Sequence, residues 1–305
     1  MSVEREPVGF PPPAVKPPSF EYHAPGSLDE ALAIREATAG ESVVLAGGQS
    51  LLPILNLRLA APAHVLDIGR LTELGSVTVA GDCLQLGACV RQRTVERSTE
   101  VTSACPLLAE ALPWIGHPST RNRGTIGGSV AHADPAAELP AVTLAVDARL
   151  VVASARSERT VAAADFFHGV MSTALEPDEL LIGIELERSL PLTGTAFVEV
   201  ARRHGDFALV GVAAVVRLSE TGEIVRARLV LAGVDATPVR ATDAETVLTG
   251  SEPHEAAFAE AAATAAKQIE PHGDLHASAA YRRHVAAVLV RRALELAARR
   301  ALVAT

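Results

Sequence analysis

Three glycines, Gly124, Gly127 and Gly128, fall within five positions of a run from Arg121 to Pro135 that also carries Thr125, Ser129, His132 and Asp134. A glycine has no Cβ, so successive backbone amides can turn toward one anion and approach it closely. Hydroxyls flank these glycines, Arg121 and Arg123 precede them, and Asp134-Pro135 reads as the start of a helix whose positive end would add to the same field. A second turn lies upstream. There the apolar stretch 42–46 runs into Gly47-Gly48, followed by the side-chain donor Gln49 and the hydroxyl of Ser50.

Neither turn spells a mononucleotide motif: no lysine stands beside the hydroxyl, and Gly-x-Gly-x-x-Gly spacing is absent. Each alone reads better as a tight turn closing a strand. Together, two phosphate-type turns suit a diphosphate held between two lobes, which points to a dinucleotide such as FAD.

The chain has 305 residues, 49% hydrophobic and 21% charged, enough for two moderate cores. A net charge of −9 argues against a nucleic-acid footprint, which needs a basic stripe. Asp147 and Arg149 interrupt the longest apolar candidate, 139–153, so no run reaches the roughly 18 residues of a membrane span. The N-terminus lacks the apolar core of a signal peptide, and the cytoplasm is the expected compartment. Cys83, Cys89 and Cys105 lack the spacing of a zinc or iron–sulfur site and read as buried reduced thiols, and His272 and His276 as members of a surface loop. No metal site is expected, so any metal relay for single electrons must come from a partner.

Residues 1–15 read as a disordered, Pro-rich lead. Ser27 and Glu30 form a capping box opening a helix that runs to Gly40, followed by strands at 42–46 and 64–68 around the first turn. Gly81-Asp82 marks a hairpin. Helices are expected at 91–97 and 105–115, the latter kinked at Pro113, and after Asp134 with a core stripe of Leu139, Val142, Leu144 and Ala145. Strands follow at 149–153, 159–162 and 180–186. Beyond Leu190–Gly194 come three strand-like runs, 196–203, 208–218 and 223–232, then helices at 242–248, 252–266 and 277–302, the last with arginines on its outer face. Strands followed by helices indicate a separate α+β domain.

The segments 46–53 and 125–135 resemble the two FAD-binding signatures of the flavoprotein (medium) subunit of molybdenum hydroxylases, the family of aerobic carbon monoxide dehydrogenase and xanthine dehydrogenase. The resemblance extends from Lys16–Tyr22 through Arg202–Val212 to Tyr281–His284 and so covers nearly the whole chain. It implies an α+β fold: a two-lobed FAD-binding domain of the PCMH type at 16–192, with lobes at about 16–74 and 75–192, then a C-terminal domain at 193–305 with a three-stranded antiparallel sheet and helices. It also implies FAD on this chain, bound without a covalent link. Molybdopterin would sit on a large partner subunit and two [2Fe-2S] clusters on a small one, in a heterotrimer or its dimer.

By the same resemblance, Ala46, Gly47, Gly48, Gln49, Ser50 and Leu51, with Thr125, Ile126, Gly127, Gly128 and Ser129, bind the cofactor: 46–50 and 125–129 hold its diphosphate through backbone N–H groups and hydroxyls, and Ile126 lies near the isoalloxazine edge. Asp134 bonds it through a carboxylate, and Leu181 lies against the flavin. Read on their own residues, Asp134 equally caps a helix, Ile126 and Leu181 pack a core, and His132 is a structural hydrogen-bonding histidine. Two positions depart from the family. Gln49 stands where many relatives have histidine, and Glu199 where they commonly have lysine, so Glu199 is not counted as a ligand. No catalytic side chain is assigned: the reading is an electron-exit subunit. Its rivals are a self-sufficient flavin oxidase, against which the 3% aromatic content argues, and a non-catalytic scaffold, against which the intact glycines argue.

Overall fold

The computed structural model describes residues 16–303, so the Pro-rich lead expected at 1–15 lies outside the described residues. The chain opens with strand β1 (Glu21–His23) and helix α1 (Leu28–Ala37). Ser27 caps α1, its hydroxyl accepting from the Glu30 amide at 3.2 Å. Glu30 does not return to the Ser27 amide as a capping box requires; its Oε2 accepts from the Gly26 amide at 2.7 Å, one residue earlier. Strand β2 (Ser42–Leu45), helix α2 (Leu51–Asn56) and strand β3 (His64–Asp67) complete the first lobe. Its strands form a parallel sheet in the order β1-β3-β2, closed over a core containing Ala31, Leu66 and Leu74.

The second lobe begins with a hairpin, β4 (Val77–Ala80) and β5 (Cys83–Gly87), turning at Gly81 with φ +57. Helices α3 (Gln92–Glu96), α4 (Thr99–Ala104), α5 (Pro106–Ala111), α6 (Pro118–Arg123), α7 (Ile126–His132) and α8 (Glu138–Ala145) follow. The kink expected at Pro113 is there: α5 passes into a 3-10 turn at Leu112–Trp114. Strands β6 (Arg149–Ala153) and β7 (Glu158–Ala162), the small pair β8 (Phe167–Gly169) and β9 (Ser172–Thr173), and β10 (Leu180–Glu187) complete the lobe. The large sheet is antiparallel, in the order β4-β5-β10-β6-β7. The stripe expected on α8 understates its burial, since every residue of that helix is buried. A helix apolar nearly all round is a core element, and α8 lies between the second lobe and the sheet that follows.

That sheet is the expected meander, β11 (Thr193–Val200), β12 (Val210–Leu218) and β13 (Ile224–Ala232), extended by a two-residue strand β14 (Val239–Arg240). Strand alternation divides its faces. Ala196, Val212, Ala214, Leu229 and Leu231 pack toward helices α9 (Thr242–Leu248), α10 (Glu255–Gln268) and α11 (Ala279–Ala301), whereas Phe197, Ala213 and Val230 join the core of the second lobe. Gly194 lets α11 lie on the β11 backbone, because a Cβ there would overlap the Ala297 carbonyl and the Ala301 amide. The arginines of α11 are not all on an outer face. Arg282 is buried and donates to the Gly233 carbonyl at 2.9 Å and Asp274 at 2.7 Å, and Arg300 bridges to Glu110 and the Thr195 carbonyl. No helix among the described residues is long and apolar enough to cross a membrane.

Candidate cofactor site

Both glycine turns border one cavity of about 660 Å³, within the ~300–1,000 Å³ typical of ligand and cofactor pockets. Ala46, Gly47, Gly48, Gln49, Ser50, Leu51, Thr125, Gly127, Gly128, Ser129, Asp134 and Leu181 line it. Ile126 does not: it is 1% exposed and packs into the core of the second lobe.

The two turns touch. A Cβ on Gly47 would stand 2.6 Å from the Arg123 carbonyl oxygen and 2.7 Å from Gly124 Cα, so this position is glycine because one turn lies on the other. Gly48 has φ +73, a left-handed conformation that favours glycine. Arg91 ties the junction, donating to the carbonyls of Arg123 and of Gly69, the latter at 3.1 Å. In the first turn the amides of Gly47, Gly48, Gln49 and Ser50 donate to no acceptor among the described residues. They form the free run of donors that an anion needs.

The second turn works differently from the backbone cradle the sequence suggests. Gly127 and Gly128 lie in the first turn of α7, whose N-cap Thr125 accepts from the Gly128 amide at 3.0 Å. The amides of Ile126 and Gly127 donate to Val90 and Ala88 at 3.0 and 2.9 Å, and that of Ser129 to Thr125 at 3.3 Å. The first two donors hold α7 onto the segment after β5, and Gly127 is small because a Cβ would meet Ala88 at 2.5 Å. The groups this turn offers the cavity are the hydroxyls of Thr125 and Ser129.

The arginines ahead of the glycines do not serve an anion. Arg121 is buried and grips Glu96 at 2.9 and 3.0 Å, holding that carboxyl below its usual range, and Arg123 is exposed outside the cavity. Asp134 does not start a helix, because α8 begins at Glu138 with Ala137 as N-cap. Asp134 Oδ1 accepts from the Ala136 amide at 2.9 Å, and the carboxylate borders the cavity. Gln49 turns its amide back to the Gly47 carbonyl at 3.2 Å. Leu181 sits at a bulge in β10, where the register against β6 shifts. On the cavity wall, Gln92 Oε1 is buried without a partner. That orphan acceptor, the free amides and the hydroxyls together fit a polar ligand with anionic and donor groups, which is the chemistry of FAD.

The C-terminal domain adds Gly205, Asp206 and the exposed Phe207 to the cavity lining, with Gly205 against Gly116 and His117. Behind this wall are two groups that sequence reasoning passed over or set aside. Glu138 lines the cavity 4% exposed, and burial pushes its carboxyl up to about 7. Glu199 is 8% exposed with Oε2 unpartnered, and burial, then the nearby Glu138, pushes it up to about 8. The signal for Glu138 was present in the sequence as a single acid opening an apolar helix. Cys89 and Cys105 are buried thiols pushed up to about 11 by burial, while Cys83 is only half-buried; all three are free.

Residues 18–188 match the family described as the FAD binding domain in molybdopterin dehydrogenase, and residues 195–297 the CO dehydrogenase flavoprotein C-terminal domain. The chain is 38% identical over 287 residues to the 6-hydroxypseudooxynicotine dehydrogenase complex subunit alpha of Paenarthrobacter nicotinovorans, covering 94% of this chain and 97% of that one. It is 38% identical to the carbon monoxide dehydrogenase medium chain of Hydrogenophaga pseudoflava, covering 92% and 98%. Among solved structures, carbon monoxide dehydrogenase from Hydrogenophaga pseudoflava superposes with a TM-score of 0.91 at 40% identity, covering 93% of this chain and 99% of that one. Quinoline 2-oxidoreductase from Pseudomonas putida 86 superposes with a TM-score of 0.89 at 36% identity, covering 94% and 99%.

Proposed function

The chain belongs to the family of FAD-binding medium subunits of molybdenum hydroxylases, and we propose that it is the electron exit of such a complex. Electrons would leave a molybdopterin site on a large partner subunit, cross [2Fe-2S] clusters on a small one, and pass through this chain to an external acceptor. The observation that carries the reading is the single cavity bordered both by residues with four unpartnered amides and by two hydroxyl-bearing residues, from two abutting turns. When bound, FAD supplies a redox centre that takes up electrons singly and releases them in pairs.

This chain's own residues bind and orient. The amides of Gly47 to Ser50 and the hydroxyls of Thr125 and Ser129 are assigned to the diphosphate, each charge-assisted hydrogen bond contributing about 1.5–3 kcal/mol. Asp134 is assigned to sugar hydroxyls as an acceptor, and Leu181 to the apolar side of the ring system. Ile126 acts through packing beneath α7 rather than by contact. The FAD-binding domain is assigned to 16–192 and the C-terminal domain to 193–305, with the complex in the cytoplasm as a heterotrimer or its dimer.

Co-expression with a molybdopterin subunit and a [2Fe-2S] subunit tests the proposal. The three are expected to co-purify, with the flavin reduced by the substrate of the complex. The chain alone is expected to be yellow, to release FAD rather than FMN on acid precipitation, and to stay oxidised with the same substrate. Rapid bleaching of the isolated chain would instead establish a self-sufficient oxidase.

A further inference from the structure

At the end of the first lobe away from the glycine turns, strand pairing brings the His64 imidazole of β3 beside the carboxylate of Glu21 and the imidazole of His23 on β1. Glu21 and His23 point to one face of β1 because side chains alternate along a strand, and His64 stands opposite Glu21 in the parallel register. His23 Nε2 and His64 Nδ1 are 3.1 Å apart, with Glu21 oxygens 3.9 Å from the first and 3.5 Å from the second. The rings are tilted by 39° with centroids 5.2 Å apart, so two nitrogens converge rather than two faces.

Two of these separations lie close to those of a metal centre, and the third closes with a small turn of the exposed Glu21 carboxylate. A tetrahedral zinc ion with bonds of about 2.0–2.1 Å to nitrogen and oxygen sets neighbouring donors roughly 3.3–3.4 Å apart. The imidazoles are largely buried, at 19% and 21% side-chain exposure, while Glu21 is 66% exposed, which leaves the carboxylate free to swing in and the fourth position open to water. On the far side of the His64 ring, Nε2 lies 4.0 Å from Glu41 Oε2, the side from which a carboxylate orients a ligating imidazole. Among the described residues no other group of three such side chains has this proximity.

We propose that Glu21, His23 and His64 form a zinc-type divalent metal site, with water as fourth ligand, that staples the short edge strand β1 to β3. The ion replaces the one proton that bridges the two rings, which moves to the other nitrogen or to solvent. The site is separate from the flavin cavity, since β2 and β3 run from this end toward the glycine turns. With ligands on both strands, the ion fixes residues 21–23 to the strand that ends at Asp67, whose carboxylate accepts from the Gly69 amide at 2.9 Å beneath the first turn.

The test uses the tag-free full-length chain with its flavin, stripped by a chelator. Calorimetric titration with zinc is expected to give one site per chain and to raise the melting temperature. Cobalt(II) is expected to show the intense visible bands of a tetrahedral ion. Glu21→Gln, His23→Asn and His64→Asn are each expected to weaken binding roughly tenfold or more, and His272→Asn to leave it unchanged. Flavin absorbance verifies that each variant is folded; should His64→Asn not fold, the cobalt spectrum of the unaltered chain decides. Absence of a stoichiometric site, an octahedral cobalt spectrum, or affinity indifferent to the Glu21 and His23 substitutions would overturn the proposal.

Discussion

Replacing Glu199 by glutamine tests the titration that burial and the neighbouring acid together impose on this residue. Glu199 faces the second lobe from β11, where Glu138 of α8 is the charged group acting on it; Glu110, toward the other end of the strand at Thr195, is already held by Arg300. The folded chain holds the Glu199 proton up to about pH 8, whereas a free glutamate releases it near 4.5. Between those values the folded state binds the extra proton, so stability falls as pH rises, by about 1.4 kcal/mol per unit for one such group. The contribution is complete below the unfolded value and gone above the folded one. From 4.5 to 7 the single-group loss comes to about 3.4 kcal/mol. Glutamine keeps the shape of the neutral acid and cannot ionise, but its buried amide lacks partners as the carboxyl oxygen does, at a cost of about 1–3 kcal/mol. Glu199→Gln is therefore expected to match or slightly undercut the parent at pH 5 and to exceed it by about 2 kcal/mol at pH 8. A shallower slope should remain from Glu138, which titrates at about 7. Urea midpoints read by circular dichroism across pH 5 to 8.5 measure it, and parallel profiles for parent and variant would refute the reasoning.

Gly47→Ala drives a Cβ into the Arg123 carbonyl and Gly124 Cα, so it is expected to part the turns, weaken FAD binding by about tenfold or more and destabilise the fold by about 1–3 kcal/mol. Fluorescence titration with FAD is the check, and unchanged affinity would sink the placement of the cavity. Gly194→Ala overlaps α11 instead, and is expected to lower stability by a similar amount, about 1–3 kcal/mol, while FAD affinity is retained; loss of FAD from a folded variant would show that the C-terminal packing is coupled to the site.

Periodicity and turn chemistry made most of the framework legible. Alternation marked β11 to β13, Gly81 the hairpin, and Ser27 the first cap. The short helices were harder: α4, α6 and α7 each span fewer than eight residues, too little for a 3.6-residue period to declare itself. At the site, composition pointed to segments that border one cavity, but not to the packing that fixes several of their residues. Gly127 is small to fit Ala88, Arg121 is held by Glu96, and the Ile126 side chain is turned into the core, all consequences of tertiary packing that no local pattern records. The convergence of His23 and His64 was equally invisible, because the pairing of β1 with β3 sets it across some forty residues.

That the two turns abut has a consequence for how the subunit holds its cofactor. Gly47 belongs to the first lobe and Arg123-Gly124 to the second, so free amides and hydroxyls face one cavity only when the lobes are docked. A ligand that needs both sets of donors binds the docked state alone, and at a hundredfold excess over its dissociation constant it stabilises that state by about 2.7 kcal/mol. Arg91 contributes in the same direction without the ligand, by bonding the Gly69 carbonyl of one lobe and the Arg123 carbonyl of the other. The glycine signature therefore records two requirements at once: close packing between lobes, which fixes Gly47, and access to unpartnered amides, which the left-handed turn at Gly48 maintains. Substitution at either position is expected to weaken cofactor binding, and at Gly47 the primary injury is to the contact between lobes.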